Sequence, residues 1–206
     1  MASFYEKHVL PRLIRCGCGC EMLAQKRAAL IPGASGRVLE LGIGGGLNLK
    51  FYDPARVSGV TGIDPSAELR AYARAAPRPD GLAVEILDAS AEEIPFEDGC
   101  FDTVVTTFTL CTVPDAPRAL AEARRVLRPG GQLLFCEHGR APDAGVAAWQ
   151  RRVEPVWKRV FGGCHLTRPV SGNIAARFSI ERLESGYMPK TPRLAGWVEW
   201  GRAVAG

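Results

Sequence analysis

The stretch Arg37-Val38-Leu39-Glu40-Leu41-Gly42-Ile43-Gly44-Gly45-Gly46 decides the fold. A short apolar run breaking into glycines reads as a buried strand feeding a tight turn. Glycine reaches positive φ there and lets the backbone approach a ligand closely. Glycine turns after strands serve several nucleotides, and spacing separates them. A phosphate loop needs Gly-x4-Gly-Lys-Ser/Thr, and no lysine stands here. A dinucleotide turn counted from Gly42 needs glycine at Leu47, and fails too. What remains is Gly-x-Gly-x-Gly behind a carboxylate, Glu40. An acid at that place disfavours a phosphate and suits an ammonium group or ordered water.

Working outward, the chain alternates strand and helix. Leu47 to Tyr52 reads as the start of a helix, and Val57 to Ile63 as a strand cut off by Asp64-Pro65. Ser66 to Ala75 is a predicted helix with Ser66 as its N-cap, Glu68 in its first turn, and Pro77 and Pro79 beyond its end. Further strands are expected at Ala83–Leu87, Asp102–Thr107 and Gln132–Cys136. Glu92–Gly99 reads as a loop, and Pro117–Leu127 as a helix stopped by Pro129-Gly130-Gly131. Past residue 145 the pattern loosens, and Ser179–Glu184 and Trp197–Arg202 read as two late strands, a hairpin-like pair at the sheet edge. This predicts an α/β, doubly wound, mostly parallel seven-stranded sheet with helices on both faces. Ligands in such sheets bind beyond the carboxyl ends of the strands. The chemically distinctive residues stand there: Glu40–Gly46, Asp64, Asp88, Thr106–Thr107 and Glu137–His138. Asp64 lies 22 residues beyond Gly42, where a carboxylate accepts from both hydroxyls of a ribose. Asp88 can receive an adenine amino group, with the Ala89 N–H offered to the ring. Three such features in order indicate a nucleoside site.

At 206 residues and 47% apolar, the chain is long enough for one sizeable domain and short for two. It has no uncharged apolar run of about 18 residues, so no spanning helix is expected. Phe4, Val9, Leu10, Leu13 and Ile14 share an amphipathic face expected to cover the core or the active site. The net charge of +4 is mild, and its arginine clusters read as solvated helix faces, so no nucleic-acid partner is expected. Seven cysteines are an odd number without an export signal, which argues against a disulfide framework. Cys16, Cys18 and Cys20 alternate with glycine, poor spacing for structural zinc. The distant candidates Cys100, Cys111, Cys136, Cys164 and His165 are scattered, so no metal is expected.

Val38-Leu-Glu-Leu-Gly-Ile-Gly-Gly-Gly, Gly62-Ile-Asp-Pro-Ser, Phe101-Asp-Thr-Val-Val and Arg125-Val-Leu-Arg-Pro-Gly-Gly, in this order over about residues 36–138, resemble the class I S-adenosylmethionine-dependent methyltransferases. The resemblance implies a Rossmann-like sheet with an antiparallel edge strand. It also implies S-adenosylmethionine as cofactor, S-adenosylhomocysteine as product, and cofactor contacts at Glu40, Gly42, Gly44, Gly46, Asn48, Asp64, Pro65, Asp88, Ala89, Thr106 and Thr107. Gly45 departs from the pattern, since relatives often carry Thr or Ser there. A narrower resemblance runs from Thr109-Leu-Cys-Thr-Val-Pro-Asp through Glu137-His138 to Trp149-Gln-Arg-Arg-Val-Glu-Pro-Val-Trp and Gly162-Gly-Cys-His-Leu-Thr-Arg. It points to the methyltransferase-like branch that includes thiol S-methyltransferases. Animal members carry an N-terminal hydrophobic anchor of which these residues show no sign, so stable membrane insertion is not expected, and peripheral contact stays open. The same pattern is similar to soluble bacterial phosphatidylethanolamine N-methyltransferases, and O- or N-methylation of another small metabolite is a further alternative.

One domain over 1–206 is expected, with an N-terminal helical lid (1–35), a cofactor-binding core (36–138) and acceptor-side helices and edge strands (139–206). The expected partner is a small-molecule acceptor, the expected state a monomer or homodimer, and the expected location cytoplasmic. His138, after the fifth strand, is the candidate to orient or deprotonate the acceptor; its alternative is a supporting residue bonded to a loop. Tyr5, Cys164 and His165 are candidate pocket residues, with Tyr5 and His8 on the lid segment. Cys164-His165 reads as a pocket wall rather than a nucleophilic dyad. Trp149, Trp157, Tyr187, Trp197 and Trp200 read as packing or as lining of an apolar acceptor pocket.

Overall fold

The computed structural model describes Tyr5, residues 9–11 and residues 19–206. His8, Cys16, Cys18 and the apolar Phe4, Leu13 and Ile14 lie outside the described residues. Chain order runs α1 (Glu21–Leu30), β1 (Gly36–Leu41), β2 (Val57–Ile63), α2 (Ala67–Arg74), β3 (Val84–Leu87), β4 (Phe101–Thr107), α3 (Ala116–Val126), β5 (Leu127–His138), α4 (Ala144–Val160), α5 (Val170–Ala175), β6 (Ser179–Tyr187), α6 (Arg193–Gly196) and β7 (Trp197–Val204). They form one seven-stranded sheet in the order β3-β2-β1-β4-β5-β7-β6. The first five strands pair in parallel. β7 runs antiparallel to both β5 and β6, so the reversed strand sits one place in from the end strand. The strand order reverses between β1 and β4, which opens a crevice at their carboxyl ends.

The pleat sends alternate residues to opposite faces, and two cores result. Leu39, Val104 and Leu133 pack with Ala119, Leu120 and Ala123 of α3 and with Ile174 of α5. Their neighbours Val38, Val105 and Leu134 pack on the other face with Ile31, Leu49, Tyr52 and Ala73. Burial on both faces explains why these strands read as apolar runs rather than alternating ones.

The helix start expected at Ser66 is present: its side chain accepts from the Leu69 N–H at 3.3 Å. Ser66→Ala should cost about 1 kcal/mol, read as a melting point lower by about 2–4 °C. A shift below experimental error would show that the cap contributes nothing.

Two expectations need correcting. Leu47–Tyr52 makes only a 3-10 turn at Leu49–Phe51, because Pro54 drives Asp53 out of the helical region and the Asn48 side chain is committed elsewhere. β5 is far longer than expected. Its residues 128–131 bulge out between the pairs Phe101↔Leu127 and Thr103↔Gln132. The acceptor-side helices expected over 139–206, for which the loosened pattern gives no bounds, include α4, which runs for 17 residues with Pro155 inside it. Among the described residues no helix is long and apolar enough to cross a membrane.

Candidate cofactor and acceptor site

The glycine turn closes the end of β1. Gly42, Gly44 and Gly46 all have positive φ, at 61°, 55° and 73°, which explains why glycine alternates there. A Cβ on Gly42 would meet Thr109 Oγ1 at 2.4 Å, so the turn also demands close approach of the loop after β4. At Gly44 the nearest atom would be the Gly42 carbonyl at 3.8 Å, so open ground lies beside it.

Each acid singled out in the sequence has a distinct environment. Asp64, 6% exposed, accepts from the Gly44 N–H at 3.0 Å and from the Ser66 N–H at 2.9 Å. Burial raises its pKa. The two backbone bonds fix the carboxylate plane and leave one lone pair per oxygen for a ligand. Pro65, between Asp64 and Ser66 in the chain, is exposed. Asp88 is exposed and paired with the Arg70 guanidinium at 2.8 Å, and Arg70 also donates to the Asp64 carbonyl at 2.6 Å. Arg70, which belongs to no sequence motif, thus links the two strand ends. Ala89 beside it packs partly buried against the core.

Glu40 departs from its expected role. It is 1% exposed, and its oxygens accept from Asn48 Nδ2 at 2.9 Å and from the Tyr52 hydroxyl at 2.7 Å. Burial pushes its pKa up to about 7, opposed by those two hydrogen bonds and by the charge of buried Arg27 from α1. The carboxylate therefore pins the turn, and the group it presents onward is Asn48. That amide nitrogen also donates to Thr107 Oγ1 at 3.0 Å, while its Oδ1 is buried without a partner among the described residues.

Thr106 and Thr107 separate likewise. Thr106 is fully buried and donates to Glu137 Oε1 at 2.7 Å, which turns it away from a ligand, whereas Thr107 faces Asn48. Glu137, absent from the expected site, organises the loop after β4. Its Oε1 accepts from the Thr109 N–H at 3.1 Å, and burial pushes its pKa up to about 7, opposed by Thr106 and the backbone N–H groups of that loop. Thr109 Oγ1 in turn donates to the Leu41 carbonyl at 2.9 Å, joining that loop to the glycine turn. Between them Phe108 holds φ at 57°, strain of the kind that collects at functional sites.

On the acceptor side, His138 ends β5, buried, with Nδ1 3.6 Å from Cys164 Sγ. Its Nε2 is buried with no partner among the described residues. The Cys111 thiol and then His138 hold the Cys164 thiol well below the usual thiol range, against the effect of burial. The sequence neighbour His165 points elsewhere: its Nδ1 lies 3.9 Å from Glu154, and only its backbone N–H meets the loop, donating to the Cys111 carbonyl at 2.7 Å. Burial and Arg168 lower its pKa. Cys164 thus pairs with His138 and Cys111, and the Cys164-His165 pair is no functional unit. The Tyr5 hydroxyl donates to the Val160 carbonyl at the end of α4, and Leu10 packs at Gly162, so these two residues meet the acceptor side.

The open ground at Gly44, the unpartnered Asn48 Oδ1 and the spare lone pairs of Asp64 form a set of acceptors. They suit a ligand rich in donors, with hydroxyls and an ammonium, and disfavour a phosphate. A separate hollow of about 420 Å³ between Arg124, Phe178, Ser179 and Gly206 lies at the opposite ends of the strands and gathers no acid, histidine or cysteine.

Residues 39–135 match the family described as methyltransferase domain. Thiol S-methyltransferase TMT1B of Homo sapiens is 37% identical over 183 residues, 85% of this chain and 72% of that protein. Phosphatidylethanolamine N-methyltransferase of Cereibacter sphaeroides is 39% identical over 129 residues, 62% of this chain and 63% of that protein. The N-methyltransferase NodS of Bradyrhizobium japonicum, solved with S-adenosyl-L-homocysteine, shares the fold. Its TM-score is 0.65 at 15% identity, covering 90% of this chain and 88% of that one. The chain belongs to the S-adenosylmethionine-dependent methyltransferases, with S-adenosylmethionine as its cofactor and a small molecule as its acceptor.

Proposed function

We propose that this enzyme methylates the sulfur of a small thiol. The observation that carries the reading is the 37% identity to a thiol S-methyltransferase over 85% of the chain. An alignment of that extent runs past residue 135 and takes in residues on the acceptor side, beyond the common methyltransferase domain.

Bound S-adenosylmethionine supplies a methyl group already activated on a sulfonium. Asp64 would hold the ribose hydroxyls, Asp88 and Ala89 the adenine, and the glycine turn with Asn48 the amino acid end. The chain's remaining work is alignment, exclusion of water and management of one proton. A thiol makes the proton easy to manage, because the thiolate is the reactive form and its pKa of about 8.5 is readily lowered. His138 is placed to take that proton, since Cys164 orients its ring and its buried Nε2 is left to receive or hold the acceptor's hydrogen. Trp157, stacked on Phe161 at 4.0 Å, adds apolar wall on the same side.

The test is a panel of alkyl and aryl thiols, phosphatidylethanolamine vesicles and simple phenols and amines, with methyl-labelled cofactor. Label is expected on thiols. No label on any thiol, with transfer to one of the others, would sink the reading.

One observation favours a second reading, lipid amine methylation at a membrane surface. Trp149, Val156 and Val160 of α4 fall on one helical face and are 59%, 61% and 41% exposed. The Arg152 guanidinium lies 5.4 Å from the Trp149 ring centroid, setting a cation beside this apolar stripe. Sedimentation with anionic vesicles decides it: co-sedimentation lost in Trp149→Ala supports surface binding, and protein left in the supernatant removes it.

A further inference from the structure

We propose that Cys111, His138 and Cys164 form a metal site that takes Zn²⁺ with three protein ligands and one open position. The three come from separate elements: the loop after β4, the last residue of β5 and the turn after α4. Their ligand atoms all lie within 4.8 Å of one another. The Cys164 Sγ to His138 Nδ1 separation is 3.6 Å. A sulfur at about 2.3 Å and an imidazole nitrogen at about 2.05 Å from a tetrahedral zinc stand about 3.5 Å apart. The observed spacing is that of two ligands sharing one cation.

The cluster is held from several sides rather than gathered by chance burial. The Cys111 carbonyl accepts from the His165 N–H at 2.7 Å, next in sequence to Cys164. Positive φ at Gly162 and Gly163, 58° and 85°, makes the tight turn that delivers Cys164 to this loop. The Gly163 and Cys164 N–H groups close that turn on the Lys158 and Phe161 carbonyls.

Two thiols and an imidazole, with no carboxylate, select a borderline-soft cation over Mg²⁺, Ca²⁺ or Mn²⁺. Three protein ligands leave a fourth position, the pattern of reactive rather than structural zinc. Cys111 belongs to the loop after β4 that Thr109 joins to the glycine turn, donating to the Leu41 carbonyl at 2.9 Å, so the cluster adjoins the cofactor side of the fold. With Nδ1 on the cation the ring hydrogen resides on Nε2, so in the metal-loaded enzyme His138 donates there instead of taking the acceptor's proton, which a metal-bound thiol would release to solvent. If the acceptor is a thiol, as proposed above, it would enter the open position as its thiolate. That clause rests on the thiol reading; the metal site does not.

The test is titration of metal-free full-length protein with Co²⁺ under reducing conditions, followed by absorption. Expected are one Co²⁺ per chain, a thiolate-to-cobalt charge-transfer band, visible bands of tetrahedral cobalt, and displacement of Co²⁺ by one equivalent of Zn²⁺. Cys111→Ser and Cys164→Ser should each weaken Co²⁺ uptake at least tenfold. Calorimetric binding of S-adenosylmethionine to the same variants reports that they fold. The variant with Ser at Cys16, Cys18 and Cys20 together should keep the band. No band in the intact protein, a band that survives both single variants, or one lost with the N-terminal cysteines overturns the site. A simple alkyl thiol should shift the charge-transfer band. Cobalt uptake without that shift removes the open-position clause alone, while acceptor identity is read separately from the labelled panel.

Discussion

Asp64→Asn is expected to weaken S-adenosylmethionine binding by about a hundredfold or more, measured by calorimetry. Both Asp64 oxygens are already oriented by backbone donors, Gly44 on one and Ser66 on the other. The carboxylate therefore meets a ligand with its geometry set in advance. Hydrogen bonds to a charged group contribute about 1.5–3 kcal/mol each, so losing one ribose bond and the charge behind the other gives roughly 2.5–4 kcal/mol. A hundredfold loss needs about 2.7 kcal/mol. Asparagine keeps the shape and one acceptor, but its NH₂ would confront a backbone N–H with no acceptor between them. A second effect follows from that confrontation: the turn itself loses on the order of 1–3 kcal/mol, visible in thermal unfolding without cofactor. The two readouts separate the roles. A destabilised variant that binds cofactor with near-normal affinity would show Asp64 to be a scaffold for the glycine turn and no more.

The half of the site nearest the glycine turn is legible in the sequence because its signals are local. Positive φ forces glycine into the chain at Gly42, Gly44 and Gly46, and Asp64 follows its strand directly. Residues working across the fold leave no such trace. Arg70 reaches Asp88 from α2, and Tyr52 reaches Glu40 from a loop whose pattern suggests a helix. Nothing in their neighbouring residues announces either. Glu137 is visible as an unusual residue at a strand end, but its partners Thr106 and Thr109 lie 31 and 28 residues earlier. Cys111, His138 and Cys164 are scattered along the chain, and their spacing argues against a shared site. Their convergence depends on β4 and β5 being neighbours and on a glycine turn at the end of α4. That helix is hard to read because apolar residues cover its exposed face as well as its buried one, and Pro155 interrupts the pattern. The pairing of the two late strands is as expected from the sequence. What sequence could not show is that β7 inserts beside β5 and leaves β6 outermost.

The fold should lose stability as the pH rises from about 5 to 8 in the absence of cofactor. Glu40 and Glu137 are both deeply buried, and burial lifts each from an ordinary carboxyl value to about 7. Each group therefore binds its proton more tightly folded than unfolded. Its contribution is fully present below about pH 4.5 and is lost as the pH climbs through 7. Ionising one such group in place costs on the order of 3 kcal/mol, so the two together can remove a large share of a domain's stability. Glu122 acts in the opposite sense. Arg125 lowers its pKa, so its contribution is present at neutral pH and lost under acid, which bounds the stable window from below. Glu40→Gln isolates one of the two buried acids. A glutamine can accept from Asn48 and donate to the Tyr52 hydroxyl, keeping both contacts without a titrating proton. Denaturant unfolding between pH 5 and 8 should show the slope reduced by about one proton in that variant and the rest retained. Cys164, whose thiol is held below its usual range, acts in the opposite sense over the same window, so the assignment is read from the difference between the parent and Glu40→Gln. An unchanged slope in Glu40→Gln would place the titrating proton elsewhere. The same proton bears on catalysis, because Glu40 fixes Asn48, and through Asn48 the unpartnered amide oxygen at the glycine turn. A carboxylate that gains its charge near neutral pH also gains attraction for a cationic amino acid end. Cofactor affinity should therefore rise with pH over the interval in which the empty fold weakens.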